Sequence, residues 1–285
     1  MNHPAELAIH QYMTDAVNGK STMSEEVINQ VANDIKDSLN RQFGGGNKRG
    51  DFRLRMSNIG RPTCQLWFQK NKPELAEAKS NNFMMNMMLG DIVEAVFKGL
   101  LRGAGVKYGE SEKVELDLGE TKISGEYDLV IDGAVDDVKS ASGWSYDNKF
   151  ESCEKLSEGD GFGYIAQLVG YAKAAKKKVG GWWVVNKANG SFKYVSAANL
   201  DVDYEIRKIK ATVETVKHNK FARCFEPKEE TFRGKATGNT MLSIDCGFCE
   251  FKNSCWENLI HKPAVLSKAK NPKIVSYITL DEQYS

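Results

Sequence analysis

Residues 125–139, GEYDLVIDGAVDDVK, fold on paper into one hairpin whose register can be counted outward from its turn. Asp132-Gly133 is a two-residue turn signal, because both central positions of a type I′ turn need a positive φ. Ile131 then faces Ala134, Val130 faces Val135, Leu129 faces Asp136, and Asp128 faces Asp137. Side chains alternate along a strand, so Lys139 shares a face with Asp137. Two carboxylates opposed across a ladder, with Cβ atoms roughly 5 Å apart, repel each other. A hard divalent cation between them removes the conflict, since such ions take carboxylate oxygens. Two acids and a lysine around one point predict hydrolysis of phosphodiester bonds. The bland alternative is an exposed hairpin end with scattered charges.

Outward from the hairpin, alternation around Val114, Leu116 and Leu118 predicts a preceding strand. Residues 83–102 read as a helix apolar on most sides, ended by Gly103 and Gly105. Residues 22–42 read as another, with Thr22 and Glu25 as a capping box and a stripe of Val27, Ile28, Val31, Ile35 and Leu39. GGGNKRGD at 44–51 reads as a flexible linker, so residues 1–50 are expected to form a helical appendage and 51–285 the main domain. Downstream, 140–161 reads as a long loop of a length usually kept for lids. A helix over 162–178, a hairpin of 180–187 and 191–197, and a helix over 201–221 follow. The tail from Phe225 reads as irregular apart from its cysteines. Strands alternating with helices, plus antiparallel hairpins, predict an α/β fold with a mixed central sheet flanked by helices.

Net charge is +1, which alone argues against a nucleic-acid partner, but the charge is unevenly spread. Ten acids and two lysines lie between Glu110 and Asp137. From Gly161 to Leu200 there is no acid, while Lys173, Lys176, Lys177, Lys178, Lys187 and Lys193 all occur. An acidic metal pocket beside a basic surface suits a protein that holds both cations and phosphates; a solvated lysine-rich helix end explains the run at 176–178 as simply. No apolar run approaches the length of a membrane helix, and the N-terminus lacks the basic and apolar regions of a signal peptide. The expected location is cytoplasmic, where six cysteines favour metal ligation over disulfides.

Three further groups carry chemistry. Glu94, in LGDIVEAVFKGLL, sits in the apolar helix with Gly90 one turn earlier leaving room on its face. A carboxylate there can complete the octahedral oxygen set of Mg²⁺ or Mn²⁺; the simpler reading is an i,i+4 pair with Lys98. Gln167 and Tyr171, also at i,i+4, can hold a nucleotide by hydrogen bonding and stacking, or form a half-buried polar pair. Cys246, Cys249 and Cys255 place three thiols in ten residues, and the distant Cys64 can supply a fourth. Four thiolates fit zinc or an iron–sulfur cluster, although a three-plus-one arrangement is unusual for zinc. Cys153 and Cys224 have no such company and read as structural.

In this order the pieces resemble the RecB-like branch of the PD-(D/E)xK nuclease superfamily, in particular members with a cysteine-ligated [4Fe–4S] cluster among phage and CRISPR-adaptation-type proteins. The resemblance covers roughly residues 55–257. It begins at MSNIGRPTCQLWF (56–68), similar to the segment around the family's first cluster cysteine. Gly90-x-x-x-Glu94, Gly125-x-x-Asp128 and Asp137-Val138-Lys139 match its three nuclease motifs, and Gln167-x-x-x-Tyr171 the motif that marks this branch. Many cluster-bearing relatives carry histidine where Glu94 stands; glutamate is more like the phage recombination exonucleases.

The resemblance implies a restriction-endonuclease-like core with an Fe–S clasp joining the N- and C-terminal parts through a segment at about 225–260. It implies a DNA exonuclease in which Glu94, Asp128, Asp137 and the Val138 carbonyl hold Mg²⁺ or Mn²⁺ and Lys139 orients the attacking water. Cys64, Cys246, Cys249 and Cys255 would hold the cluster. Gln167, Tyr171, Lys173, Lys176 and Lys177 would position the strand. A recombination or helicase partner is compatible with the resemblance, any helicase being a separate protein because the chain carries no Walker A motif, and an oligomer is compatible as well. The alternative is a non-catalytic DNA-end-binding subunit with an Fe–S or zinc site.

Overall fold

Two runs, AVDDVKSA at 134–141 and the tryptophan- and valine-rich KVGGWWVVN at 178–186, lie side by side as parallel strands at the centre of one sheet. The structure is a computed structural model describing residues 3–44 and 51–281. Its helices are α1 (Pro4–Val17), α2 (Glu25–Phe43), α3 (Thr63–Asn71), α4 (Asn81–Gly103), α5 (Cys153–Ser157), α6 (Tyr164–Ala175), α7 (Val202–His218) and α8 (Lys252–Cys255). The strands are β1 (Glu112–Asp117), β2 (Lys122–Tyr127), β3 (Leu129–Ile131), β4 (Ala134–Ala141), β5 (Lys178–Asn186), β6 (Phe192–Ser196), β7 (Lys228–Phe232), β8 (Lys235–Met241), β9 (Ile260–Pro263) and β10 (Ile274–Thr279). The chain divides into two compact units, one of Met1–Gly60 with Ser80–Val213, the other of Arg61–Lys79 with Glu214–Ser285.

The first unit is an α/β sandwich. Its main sheet runs β3-β4-β5-β6, with β3 antiparallel to β4, β4 parallel to β5, and β6 antiparallel to β5. Helix α6 makes the crossover that two parallel neighbours require. Because alternate side chains face opposite ways, the adjacent Trp182 and Trp183 enter different cores, and both are fully buried. Trp182 packs with Val135, Leu168, Val169 and Ile209, beneath α6 and α7. Trp183 packs with Leu129, Ile131, Ile9, Phe97 and Leu101, beneath α1 and α4. Truncating either tryptophan to alanine should cost about 3–5 kcal/mol.

The second unit gathers two distant stretches of sequence. Its four-stranded sheet runs β7-β8-β10-β9 and is antiparallel throughout. Buried Glu230 is satisfied there by Tyr277 Oη at 3.0 Å and Asn239 Nδ2 at 2.7 Å. Phe68 of α3 stacks on Phe251 with ring centroids 5.2 Å apart.

Several sequence expectations change. Residues 4–43 are two helices of the first unit rather than a separate appendage: α1 buries Ala5 and Ile9 in the core, and Gly99 of α4 lies against Val31 of α2. Most of the expected linker falls outside the described residues. Ser24, not Thr22, caps α2 through the Val27 N–H. The loop at 140–161 carries a π-helical turn and α5, and it buries Phe150, Cys153 and Leu156, so it is anchored rather than free. Helix α6 is shorter than 162–178, because Gly163 and Lys176 both adopt left-handed φ at its ends. The tail from Phe225 holds four strands; its alternation is broken by bulges and short turns, which hide it from a search for periodicity.

Candidate functional site

The hairpin is built as its turn dictates. Asp132 and Gly133 have φ of 50° and 77°, and Leu129, Val130 and Ile131 pair with Asp136, Val135 and Ala134. Asp128 lies one step past the ladder, between β2 and β3, and its Oδ2 accepts the Val138 N–H at 2.8 Å. In an extended strand the N–H and C=O of one residue point to the same side, so the Val138 carbonyl opens toward Asp128 as well. Alternation then separates the two consecutive acids of β4. Asp136 faces Trp183 and Tyr194, while Asp137 faces Lys139 and α6.

Asp128, Asp137, Lys139 and Glu94 act on one another electrostatically, with Lys98 beside them. Burial raises Asp128 to about 7, reinforced by the charge of Asp137 and opposed by that of Lys139. Asp137, 2 % exposed, is also raised, again by burial first, and it shares a hydrogen bond with Asp128. Glu94 is raised by burial and by Asp128, against the pull of Lys98, whose Nζ lies 2.7 Å from Glu94 Oε1. The i,i+4 pair and the approach to the acids are therefore both present. Burial lowers Lys139, but Asp137 and Asp128 more than offset it, so the ammonium stays charged. Lys139 Nζ lies 2.5 Å from Asp137 Oδ2, yet that buried oxygen receives no well-aligned hydrogen bond.

Helix α6 covers this cluster. Lys139 Nζ reaches Gln167 Oε1 at 3.5 Å, and Gln167 Nε2 lies 3.2 Å from Tyr171 Oη. Burial pushes Tyr171 up to about 12. Tyr164 adds its ring 5.1 Å from Lys139 Nζ, a contact outside the sequence expectations, although its i,i+3 spacing to Gln167 puts it on the same helix face. Gly125 is required where Met56 and Tyr171 crowd its Cα. Lys173, Lys176 and Lys177 are not gathered here. They line a separate cavity with Ala197, Leu200 and Val202, and Lys176 is about 13 Å along α6 from Gln167.

In the second unit, Cys64, Cys246, Cys249 and Cys255 line one cavity with Phe68 and Trp256. Cys246 and Cys249 flank a tight turn closed by a 3.0 Å hydrogen bond from the Cys249 N–H to the Cys246 carbonyl. Burial raises Cys246 to about 11 and raises Cys249 and Cys255 as well. Cys224 is a fifth thiol of this unit, and it does have company. Its Sγ accepts the Cys64 N–H at 3.1 Å and lies 3.4 Å from Thr63 Oγ1. No spacing rule connects residues 160 apart, so sequence alone carries no signal for this pair. Among the described residues, no three His, Cys, Asp or Glu side chains converge at metal-binding distances.

No family model matches the chain, and no curated protein matches it either. A solved structure described as "Crystal structure of SSO0001" is similar to 76% of this chain and 92% of its own, with 13% identity and a TM-score of 0.41. A likeness this distant carries no argument about function. Among the described residues no helix is long and apolar enough to cross a membrane.

Proposed function

We propose that the chain is a divalent-metal-dependent DNA nuclease acting at DNA ends, with a structural [4Fe–4S] cluster in its second unit. The observation that carries the proposal is the group of buried Asp137 with half-buried Asp128 and Glu94, in which Asp137 Oδ2 meets the Lys139 ammonium as an ion pair without an aligned hydrogen bond. Three acids that raise one another's pKa, though not converged at metal-binding distances, are the donor type a hard cation takes. Glu94, Asp128, Asp137 and the Val138 carbonyl would hold it. A bound Mg²⁺ or Mn²⁺ would supply Lewis acidity to a phosphate and lower the pKa of a water. Lys139 stays protonated between Asp137 and Gln167, placed to orient that water and to offset charge growing on phosphate oxygens. Gln167 steadies Lys139, and Tyr171 closes the opposite side of the amide. The cavity lined by Cys64, Cys246, Cys249 and Cys255 fits a four-thiolate cluster by number and chemistry.

The test is anaerobically purified protein with Mn²⁺ on end-labelled linear and circular DNA, single- and double-stranded. Shortened linear strands beside intact circles support end-directed cutting, and their labels give its direction. Asp137→Ala and Lys139→Ala should abolish cutting while leaving DNA binding within a few-fold; full cleavage by either variant sinks the reading. Brown protein with matching iron and sulfide supports the cluster, and colourless protein with stoichiometric zinc overturns it. A second reading, a non-catalytic DNA-end-binding subunit, draws on the ion pair by which Lys98 already engages Glu94. It expects DNA binding that Mn²⁺ does not convert into cutting.

A further inference from the structure

Five of the six cysteines lie in the second unit, but the four that line its cavity do not include Cys224. Cys224 instead stands outside, at the start of α3, where no side chain of the helix's own N-cap, Pro62, can satisfy the first N–H groups. Its sulfur takes that place by accepting the Cys64 N–H at 3.1 Å. Thr63 Oγ1 flanks the same sulfur. The Cys224 sulfur is thus seated on the backbone of the residue whose thiol it would join. Cys224 is exposed, so a small oxidant can reach it, and Cys64 is half-buried behind it. Cys153, by contrast, is buried in the core of the other unit and belongs to no such pair.

We propose that Cys64 and Cys224 form a reversible disulfide, a thiol latch distinct from the four-thiol cavity it borders. With a low-molecular-weight disulfide such as oxidised glutathione as oxidant, the exposed Cys224 sulfur attacks one sulfur of the oxidant. The oxidant's S–S bond breaks, one glutathione leaves, and a mixed disulfide forms on Cys224. The Cys64 sulfur then attacks the Cys224 sulfur, forming the internal S–S bond and releasing the second glutathione. Two protein thiols are oxidised, one disulfide is reduced to two thiols, and the protons of Cys224 and Cys64 end on them. The latch withdraws Cys64 from the cavity, so a chain oxidised in this way lacks one of its four lining thiols. That consequence rests on the cluster reading; the disulfide itself does not.

The experiment uses the full chain, purified without cluster, exposed to oxidised glutathione, quenched with an alkylating agent and digested without reductant. The expected result is a Cys64 peptide joined to a Cys224 peptide as the dominant cross-link, lost on treatment with reductant. In Cys224→Ser, Cys64 should be alkylated and carry no internal bridge. Cys64 bridged mainly to Cys246, Cys249 or Cys255, or left unbridged in the wild type, overturns the proposal. A parallel arm loads iron and sulfide anaerobically into reduced and pre-oxidised protein. Pre-oxidation should cut iron uptake several-fold in the wild type and leave Cys224→Ser unaffected. If the cross-link forms but the reduced protein takes up no iron, the latch stands and the cluster reading falls. If iron loads and no cross-link forms, the reverse holds.

Discussion

Asp128→Asn should stabilise the metal-free protein, and by more at high pH than at low. Burial and the neighbouring Asp137 raise the Asp128 carboxyl from the usual 3.8 to about 7. An acid whose folded pKa is raised binds protons more tightly when folded, so its ionisation opposes folding as pH climbs from 3.8 through 7. At about 1.36 kcal/mol per pH unit, the opposition is under about 2 kcal/mol at pH 5 and reaches about 4 kcal/mol at pH 8. Water entry and relaxation around a half-buried side chain reduce this, leaving about 1–3 kcal/mol to be gained at pH 8. An amide keeps an acceptor for the Val138 N–H and removes the charge that opposes that of Asp137. For a unit of this size that gain raises the melting temperature by roughly 2–12 °C. The assay is circular dichroism melting at pH 5 and pH 8, with and without Mn²⁺. Wild type should gain from Mn²⁺ at pH 8, by about 2.7 kcal/mol at a hundredfold excess over Kd, and the variant should gain much less. A lower melting temperature for the variant at pH 8, or an equal gain at pH 5, refutes the argument.

Asp136→Ala should destabilise by about 2–4 kcal/mol, since it strips the acceptor from Gly181 N, Trp183 Nε1 and Tyr194 Oη at once; the Mn²⁺ stabilisation should survive in whatever fraction melts cooperatively. Gly180→Ala should be worse still, because a β-carbon there collides with the Asp136 carboxylate and the Val135 carbonyl; soluble yield and melting temperature read it out, and a wild-type profile would overturn the packing argument. Lys173→Glu with Lys177→Glu should weaken DNA binding and flatten its salt dependence if the strand reaches that end of α6. An unchanged slope in binding titrations at several salt concentrations would confine the DNA path to the acid-cluster end.

The hairpin is legible in the sequence because its information is local. A turn that demands positive φ fixes the register, and register fixes faces, so counting from Asp132-Gly133 is enough to bring Asp128, Asp137 and Lys139 together. Helix identities are legible for the same reason: periodicity exposes α4, α6 and α7 within a few residues of their ends. What cannot be read is everything set by distant pairing. Ile9 looks like one residue of an N-terminal appendage, yet Phe97 and Trp183 share its core. For residues 61–79 the thiol count, Cys64 beside Cys246, Cys249 and Cys255, is the one sign that they belong with 214–285; contacts such as the Phe68–Phe251 ring stack and the N–H from Glu77 to the Glu250 carbonyl leave no local signal. The lysines of α6 show the limit of charge counting: sequence proximity to Gln167 does not mean spatial proximity, because Lys176 is more than two turns further along the helix.

The two consecutive acids of β4 allow a comparison that sequence could not make. Asp136 and Asp137 are both nearly inaccessible, on one strand, one residue apart, and burial raises both. Asp136 is provided with Gly181 N at 2.8 Å, Tyr194 Oη at 3.0 Å and Trp183 Nε1 at 3.2 Å, so its burial is offset by hydrogen bonds and needs nothing else. Asp137 is given another carboxylate, a lysine that does not align with its second oxygen, and a third acid on α4. A fold that merely tolerated buried acid would satisfy both in the same way, with donors. Differing treatment of neighbouring residues, in one sheet and at equal depth, separates Asp136, satisfied by donors, from Asp137, held among other charges. The same contrast fixes where substitutions should part ways: loss of Asp136 should appear in melting and loss of Asp137 in cation response.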